Sequence, residues 1–316
     1  MPLSIAIIGS GPSAFYAADS LLKSGSAYQI DLIERLPTPY GLIRGGVAPD
    51  HQHTKRVIRA YERTALDDPV RFYGNVEVGR DIHVSELRQL YDAVVLAVGA
   101  PRDRLMGIQG EDKVGVFGSA AFVGWYNGHP DFADLAPNLK IHRAAIIGNG
   151  NVAVDIARVL VKTPKEMVES DLVAHASKEI HNGLLKDVHL IGRRGPTEAK
   201  FTNVELREMG KLSDCAPVID VNDLPEAVTG NMSDRDRRLR DRNLATLRKF
   251  SDMSAEGKSK RVHFDFCAMP REVLGNTHVE GLRLERTRVA DGRAMPTGEL
   301  FDLECGLVIA AIGYQS

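Results

Sequence analysis

Two stretches of the chain place glycines at the spacing a dinucleotide requires. Gly9-Ser-Gly11-Pro12-Ser13-Ala14 follows the apolar run at 5–8, and Gly148-Asn149-Gly150-Asn151-Val152-Ala153 follows the apolar run at 144–147. The first glycine of each permits a tight turn, and the second lets backbone approach a pyrophosphate. A small residue in third place allows close helix–strand packing. Phosphates would then sit on the free N–H groups at the positive end of the following helix. The residues downstream differ. Glu34 ends the strand after the first turn, where a carboxylate can accept both hydroxyls of an adenosine ribose, as in FAD or NAD. Arg193-Arg194 ends the corresponding strand after the second, where paired guanidinium groups match a 2′-phosphate, as in NADP(H). One site of each kind implies hydride transfer between a pyridine nucleotide and a flavin, which can pass electrons on singly. A glycine turn that merely packs, or an arginine pair that merely caps a strand, is the plainer alternative.

These residues need strands to end on and helices to begin from. The pattern predicts a helix that follows the turn 9–14 and runs to about Lys23, and a strand over 30–34, then a second unit in which a helix over 154–161 stops before Pro164. An inserted helix over 167–179 precedes a strand over 188–191. Apolar runs at 94–98 and 307–312 each end in glycine, and 262–266 and 281–288 also read as strands. The stretch 214–223 reads as a polar crossing, and 231–250 as a charged surface helix. Two strand–turn–helix–strand units predict an α/β protein with two Rossmann-like dinucleotide-binding domains, each a parallel sheet with crossover helices.

Composition removes other classes. Among 316 residues, 40 Lys+Arg balance 42 Asp+Glu, so no net field recommends nucleic acid. The three cysteines, Cys215, Cys267 and Cys305, include no CxxC pair, which argues against a redox dithiol and a zinc cage; no metal is expected. No apolar stretch reaches membrane length, and Ile5–Ile8 runs straight into a glycine turn rather than forming a leader. The expected location is cytoplasmic.

The loop Pro37-Thr-Pro-Tyr-Gly-Leu-Ile-Arg-Gly-Gly-Val-Ala-Pro-Asp-His51 is too rich in proline and glycine for plain packing. Together with 148–155, Gly192-Arg-Arg-Gly-Pro196, 122–130 and 201–208, it resembles the adrenodoxin-reductase-type ferredoxin–NADP⁺ reductases, over residues 3–314. That resemblance implies FAD at Gly9, Gly11, Pro12, Ser13, Ala14, Glu34, Gly41, Leu42, Val47, Val78 and Gly99. It implies NADP(H) at Gly148, Asn149, Gly150, Asn151, Val152, Arg193, Arg194 and Glu205, with His51 and Glu208 near the flavin–nicotinamide junction as the catalytic pair. Glu205 and Glu208 are three apart and share a helix face.

The implied partner is an acidic ferredoxin-type iron–sulfur protein. It would be steered by Arg207 and Arg235–Arg242, since 231–250 holds seven basic residues against three acidic. The implied state is a monomer. The implied organisation is a FAD domain at 1–104, an inserted NADP(H) domain at 105–306, and a strand at 307–316 returning to the first domain. Members of the family continue further, so the resemblance also implies a C-terminally shortened chain. Two other readings stay open. One is the NADPH/FAD electron-input module of a larger complex, similar to the glutamate synthase small subunit. The other is a non-enzymatic NADP(H)-binding remnant.

Overall fold

Four short segments in the first hundred residues form parallel strands in the computed structural model, which describes residues 2–315. They are β1 (Leu3–Ile8), β2 (Tyr28–Ile33), β3 (Val70–Tyr73) and β4 (Ala93–Leu96), in the sheet order β3-β2-β1-β4. β1 is apolar from Ile5 to Ile8, and β2 buries Ile30, Leu32 and Ile33, because both faces of the sheet are covered. Phe15 and Ala18 of α1 (Pro12–Leu22) and Tyr61 of α4 (Ile58–Ala65) cover one face. Leu87 of α5 (Val84–Leu90) and the partly buried Val76, Val78 and Ile82 cover the other. Inside β2, Asp31 is 1% exposed and is held by Arg71 at 2.7 and 2.9 Å and by the Tyr91 hydroxyl at 2.6 Å. The proline- and glycine-rich loop after β2 carries two one-turn helices, α2 (Leu42–Gly45) and α3 (Gln52–Lys55). This compact unit ends at Pro101.

The second unit runs from Arg102 to Gln315. A short antiparallel pair, β5 (Arg102–Asp103) with β15 (Tyr314–Gln315), joins its two ends. Its main sheet is six-stranded and wholly parallel, in the order β6-β14-β7-β8-β10-β9. These strands are β6 (Val116–Gly118), β7 (Arg143–Ile147), β8 (Asp187–Ile191), β9 (Cys215–Val218), β10 (Lys260–Asp265) and β14 (Leu307–Ala310). An antiparallel sheet of β11 (Ala268–Leu274), β12 (Gly281–Ala290) and β13 (Arg293–Glu304) packs on it, burying Val273, Leu282 and Leu284 against Ile147, Ile191 and Val308. The helices of this unit are α6 (Ser119–Tyr126), α7 (Asn151–Val161), α8 (Ala174–His181), α9 (Asn203–Met209) and α10 (Asp234–Ser251). On β8 and β10, His189 and His263 are register partners whose rings stack at 4.4 Å. Each imidazole bonds the aspartate of the facing strand, His189 to Asp265 at 2.7 Å and His263 to Asp187 at 2.8 Å.

Several expectations change. The strand at 307–310 does not return to the first unit's sheet. It lies between β6 and β7, parallel to both, with all four residues buried. An apolar run states that it must be buried but not which strand it joins, and the slot between β6 and β7 supplies two partners. Residues 102–103 likewise belong to the second unit, through β15. The inserted helix divides into a 3₁₀ turn at Pro164–Met167 and α8, while the polar crossing at 214–223 contains the edge strand β9.

Candidate functional site

Both glycine turns are wired in the same way. In the first, Gly9 N donates to Ile33 O at 2.7 Å and Ala97 N to Ile8 O at 2.8 Å; in the second, Gly148 N donates to Ile191 O at 2.9 Å and Ala311 N to Ile147 O at 2.8 Å. Each glycine is therefore clamped against the strand beside it. A Cβ on Gly9 would stand 2.4 Å from Ala97 O and one on Gly148 2.3 Å from Ala311 O, and both have positive φ. Only glycine meets that geometry.

Each turn opens a helix whose amino end has no side-chain cap, with Gly11 at the N-cap of α1 and Gly150 at that of α7. By contrast, Thr202 caps α9 and Ser233 caps α10 with their own hydroxyls. Uncapped first-turn N–H groups are what a pyrophosphate needs. Pro12 takes the first helical position, where it has no N–H to waste, and Ala14 is fully buried beneath it.

In the first unit the sheet changes direction between β1 and β4, so the turn lies at a topological switch point. The loop returns to this turn, as Tyr40 N donates to Ser10 O at 2.9 Å. A Cβ on Gly41 would stand 2.8 Å from the Gly11 Cα, so two backbones meet with no side chain between them. Ser13, Leu42 and Gly99 are exposed around the turn, Val47 packs on the core below it, and Val78 sits on the opposite face of the sheet with Ile8 and Ile33. This bare cradle suits FAD.

The Glu34 carboxylate is already employed. Its Oε2 accepts from Ser10 N at 3.0 Å and from Ser10 Oγ at 2.7 Å, and its Oε1 accepts from Leu36 N at 3.1 Å. Ser10 is completely buried and was not evident in the sequence as a partner. Oε1 retains lone-pair capacity for a ribose hydroxyl. His51 stands at the N-cap of α3 in this unit, with its backbone N–H bonded to Ala48 O at 3.0 Å.

In the second unit the turn organises its own wall. Asn149 O accepts from Lys200 N at 2.7 Å and Phe201 N at 3.1 Å, and Asn151 Oδ1 accepts from Thr202 N at 2.7 Å, which fixes the start of α9. The Asn149 Oδ1 is buried and has no hydrogen-bond partner among the described residues. A Cβ on Gly150 would meet nothing within 4 Å, and Val152 lies in the uncapped first turn of α7. An orphaned acceptor beside open backbone suits a dinucleotide.

At the end of β8, the Arg193 carbonyl accepts from Thr287 Oγ1 at 2.8 Å, and its exposed guanidinium forms no ion pair among the described residues. Arg194 reaches Gly292 O at 3.3 Å. Glu205 and Glu208 of α9 both approach Arg158 of α7, at 3.5 Å each, and Arg158 also bonds Asp155 at 2.7 Å. Neither Asp155 nor Arg158 stood out in the sequence. The signal was an arginine inside the buried stripe Ile156, Ala157, Val159.

Between α9 and α10 runs a groove of about 690 Å³, edged by Arg207, Lys211, Arg242 and Lys249 and floored by Phe250 and Met253. None of the four cations forms an ion pair among the described residues. The expected basic surface is thus divided, because Arg237 is spent on the Val228 and Gly230 carbonyls at 2.8 and 2.9 Å, while Arg242 reaches the groove.

A family model described as pyridine nucleotide-disulphide oxidoreductase matches residues 3–195. The chain belongs to that family. Within the pyridine nucleotide-disulphide oxidoreductases it is 41% identical to NADPH-ferredoxin reductase FprA of Mycobacterium tuberculosis, over 99% of this chain and 71% of that protein. It is 41% identical to the mitochondrial NADPH:adrenodoxin oxidoreductase of Arabidopsis thaliana, over 100% of this chain and 68% of that one. The solved structure of Mycobacterium tuberculosis FprA in complex with NADPH superposes with a TM-score of 0.95 at 41% identity, again covering 99% of this chain and 71% of that one. The disulphide in the family's name finds no counterpart among these thiols. Cys215, Cys267 and Cys305 are all free, and burial pushes the Cys215 and Cys305 thiols up to about 12, far from a thiolate nucleophile.

Proposed function

We propose that the chain is a FAD-dependent, NADPH-oxidising reductase of ferredoxin-type iron–sulfur proteins. The observation that carries this reading is the pair of identically wired glycine turns with opposite followers, a carboxylate after one and an arginine pair after the other, in a chain 41% identical to FprA. The first turn, with Gly9, Gly11, Pro12, Ser13 and Ala14, holds the FAD pyrophosphate, and Glu34 with Gly41, Leu42 and Gly99 borders it. The second, with Gly148 to Val152, holds the NADP(H) pyrophosphate, while Arg193 and Arg194 take the 2′-phosphate and Glu205 its ribose. When bound there, FAD would supply the chemistry that couples two-electron hydride exchange with NADPH to one-electron delivery. The protein's part is to bind, orient and shield. Gly9 and Gly148 set the turns, the first-turn N–H groups neutralise phosphate charge, and His51 of the first unit and Glu208 of the second are each able to hold or move a proton.

The partner surface is the α9–α10 groove. Four cations without an ion pair among the described residues, lining a groove with Phe250 and Met253, complement an acidic protein with an apolar centre. No helix among the described residues is long and apolar enough to cross a membrane.

The test is to load the chain with FAD, record flavin absorbance, and measure NADPH-dependent cytochrome c reduction with and without ferredoxin. Ferredoxin-stimulated reduction supports the reading. NADPH binding with no FAD retained would instead favour the nucleotide-binding remnant.

A further inference from the structure

Arg158 is the most deeply buried charge in the second unit, with a side-chain exposure of 0%. A guanidinium removed from water is costly unless carboxylates surround it. Its Nη1 faces three of them: Asp155 at 2.7 Å on its own helix, and Glu205 and Glu208 at 3.5 Å on α9. Without the cation, the three carboxylates would repel one another, and the two on α9 would lose their common anchor. Arg158 is reached from the second glycine turn through two turns of α7, a helix packed on both β8 and α9.

We propose that Arg158 is a positioning residue for NADP(H), fixing Glu205 and Glu208 from behind so that both hold one orientation toward the nucleotide. This rests on the nucleotide reading of the second turn. One helix then sets two parts of the site, with its amino end at the pyrophosphate and its buried arginine ordering the acidic residues of α9. A single guanidinium can serve several carboxylates because its donors are fixed in a plane, which a lysine ammonium does not reproduce.

The experiment measures NADPH binding by calorimetry to the full chain, with thermal unfolding recorded for every variant. Arg158→Gln weakens NADPH roughly tenfold, and Arg158→Lys falls between it and the parent. In a Glu205→Gln/Glu208→Gln background, Arg158→Gln produces no further loss, since nothing remains to be positioned. Unchanged NADPH affinity in a folded Arg158→Gln overturns the proposal, and so does an equal loss in both backgrounds. Should Arg158→Gln not fold, Arg158→Lys decides in its place: a loss in the parent that vanishes in the double-glutamine background supports the proposal, and parental affinity refutes it. Arg193→Ala/Arg194→Ala is the control for the underlying reading. If that variant binds NADPH normally, it is the nucleotide assignment that fails, independently of Arg158.

Discussion

Replacing Glu34 by glutamine tests whether this carboxylate serves the protein as well as the nucleotide. In the structure it receives three donors, two from the buried Ser10 and one from Leu36 N. A glutamine has one acceptor oxygen. If that oxygen faces Ser10, the new amide N–H₂ confronts the Leu36 N–H at about the present 3.1 Å, donor against donor. If it faces Leu36, the amide confronts the Ser10 N–H instead, while the Ser10 hydroxyl can turn to accept from it. The less damaging arrangement leaves one backbone N–H unsatisfied, at roughly 1–3 kcal/mol, and removes the charge assistance from the other two bonds. We expect a loss of about 2–3 kcal/mol before any ligand is added. In a unit that ends at Pro101, each 1 kcal/mol moves the midpoint by roughly 4–8 °C, so the first unit's transition should fall by about 10 °C or more. Thermal unfolding of parent and variant, each with and without FAD, separates the two roles. If the ligand-free midpoint is unchanged and only the FAD-dependent increase is lost, Glu34 acts on the nucleotide alone and the reasoning from Ser10 is wrong.

Other outcomes follow from the same geometry. Changing Arg193 and Arg194 to alanine should weaken NADPH by about 100-fold, from two charge-assisted contacts, while NADH binding changes little; equal losses in a calorimetric comparison would remove the 2′-phosphate assignment. Lys211→Glu/Lys249→Glu should lower kcat/KM for ferredoxin about tenfold at low salt, flatten its salt dependence, and spare NADPH-driven reduction of ferricyanide. Burial, assisted by the stacked His189, holds the His263 imidazole below its ordinary 6.5, against the pull of Asp187. Its stabilising contribution is therefore present above that value and is lost as pH falls below it, because the unfolded chain then binds more protons. Urea midpoints at pH 7.5 and 5.5 should differ less in His263→Gln than in the parent, and an identical pH response would contradict this.

The parts of the fold legible in the sequence were those whose cause is local. Gly9 and Gly148 announce turns because nothing else tolerates their backbone, and Arg193-Arg194 announces charge at a strand end. What could not be read depends on contacts distant in sequence. The runs at 94–98 and 307–312 look alike, yet Ala93–Leu96 pairs with β1 and Leu307–Ala310 with β6 and β7. β13, with Pro296, Gly298 and several charges, lacks a clean strand pattern, and its place is set by β12. Ser10 and Arg158 acquire meaning only from Glu34 and from the carboxylates of α9. Among the candidate residues, the turns and their followers are visible in the sequence, while the buried groups that hold them steady are not.

The shared wiring of the two turns also bears on the kinetics of loading. Strand carbonyls hold Gly9 and Gly148 in place, so if the two turns take dinucleotides as proposed, neither loop has to be ordered on their arrival. The conformational entropy was surrendered during folding, so association should proceed without a slow isomerisation step. On the proposed reading, discrimination between the two dinucleotides lies in side chains one strand away, and it can be altered there without disturbing either glycine loop.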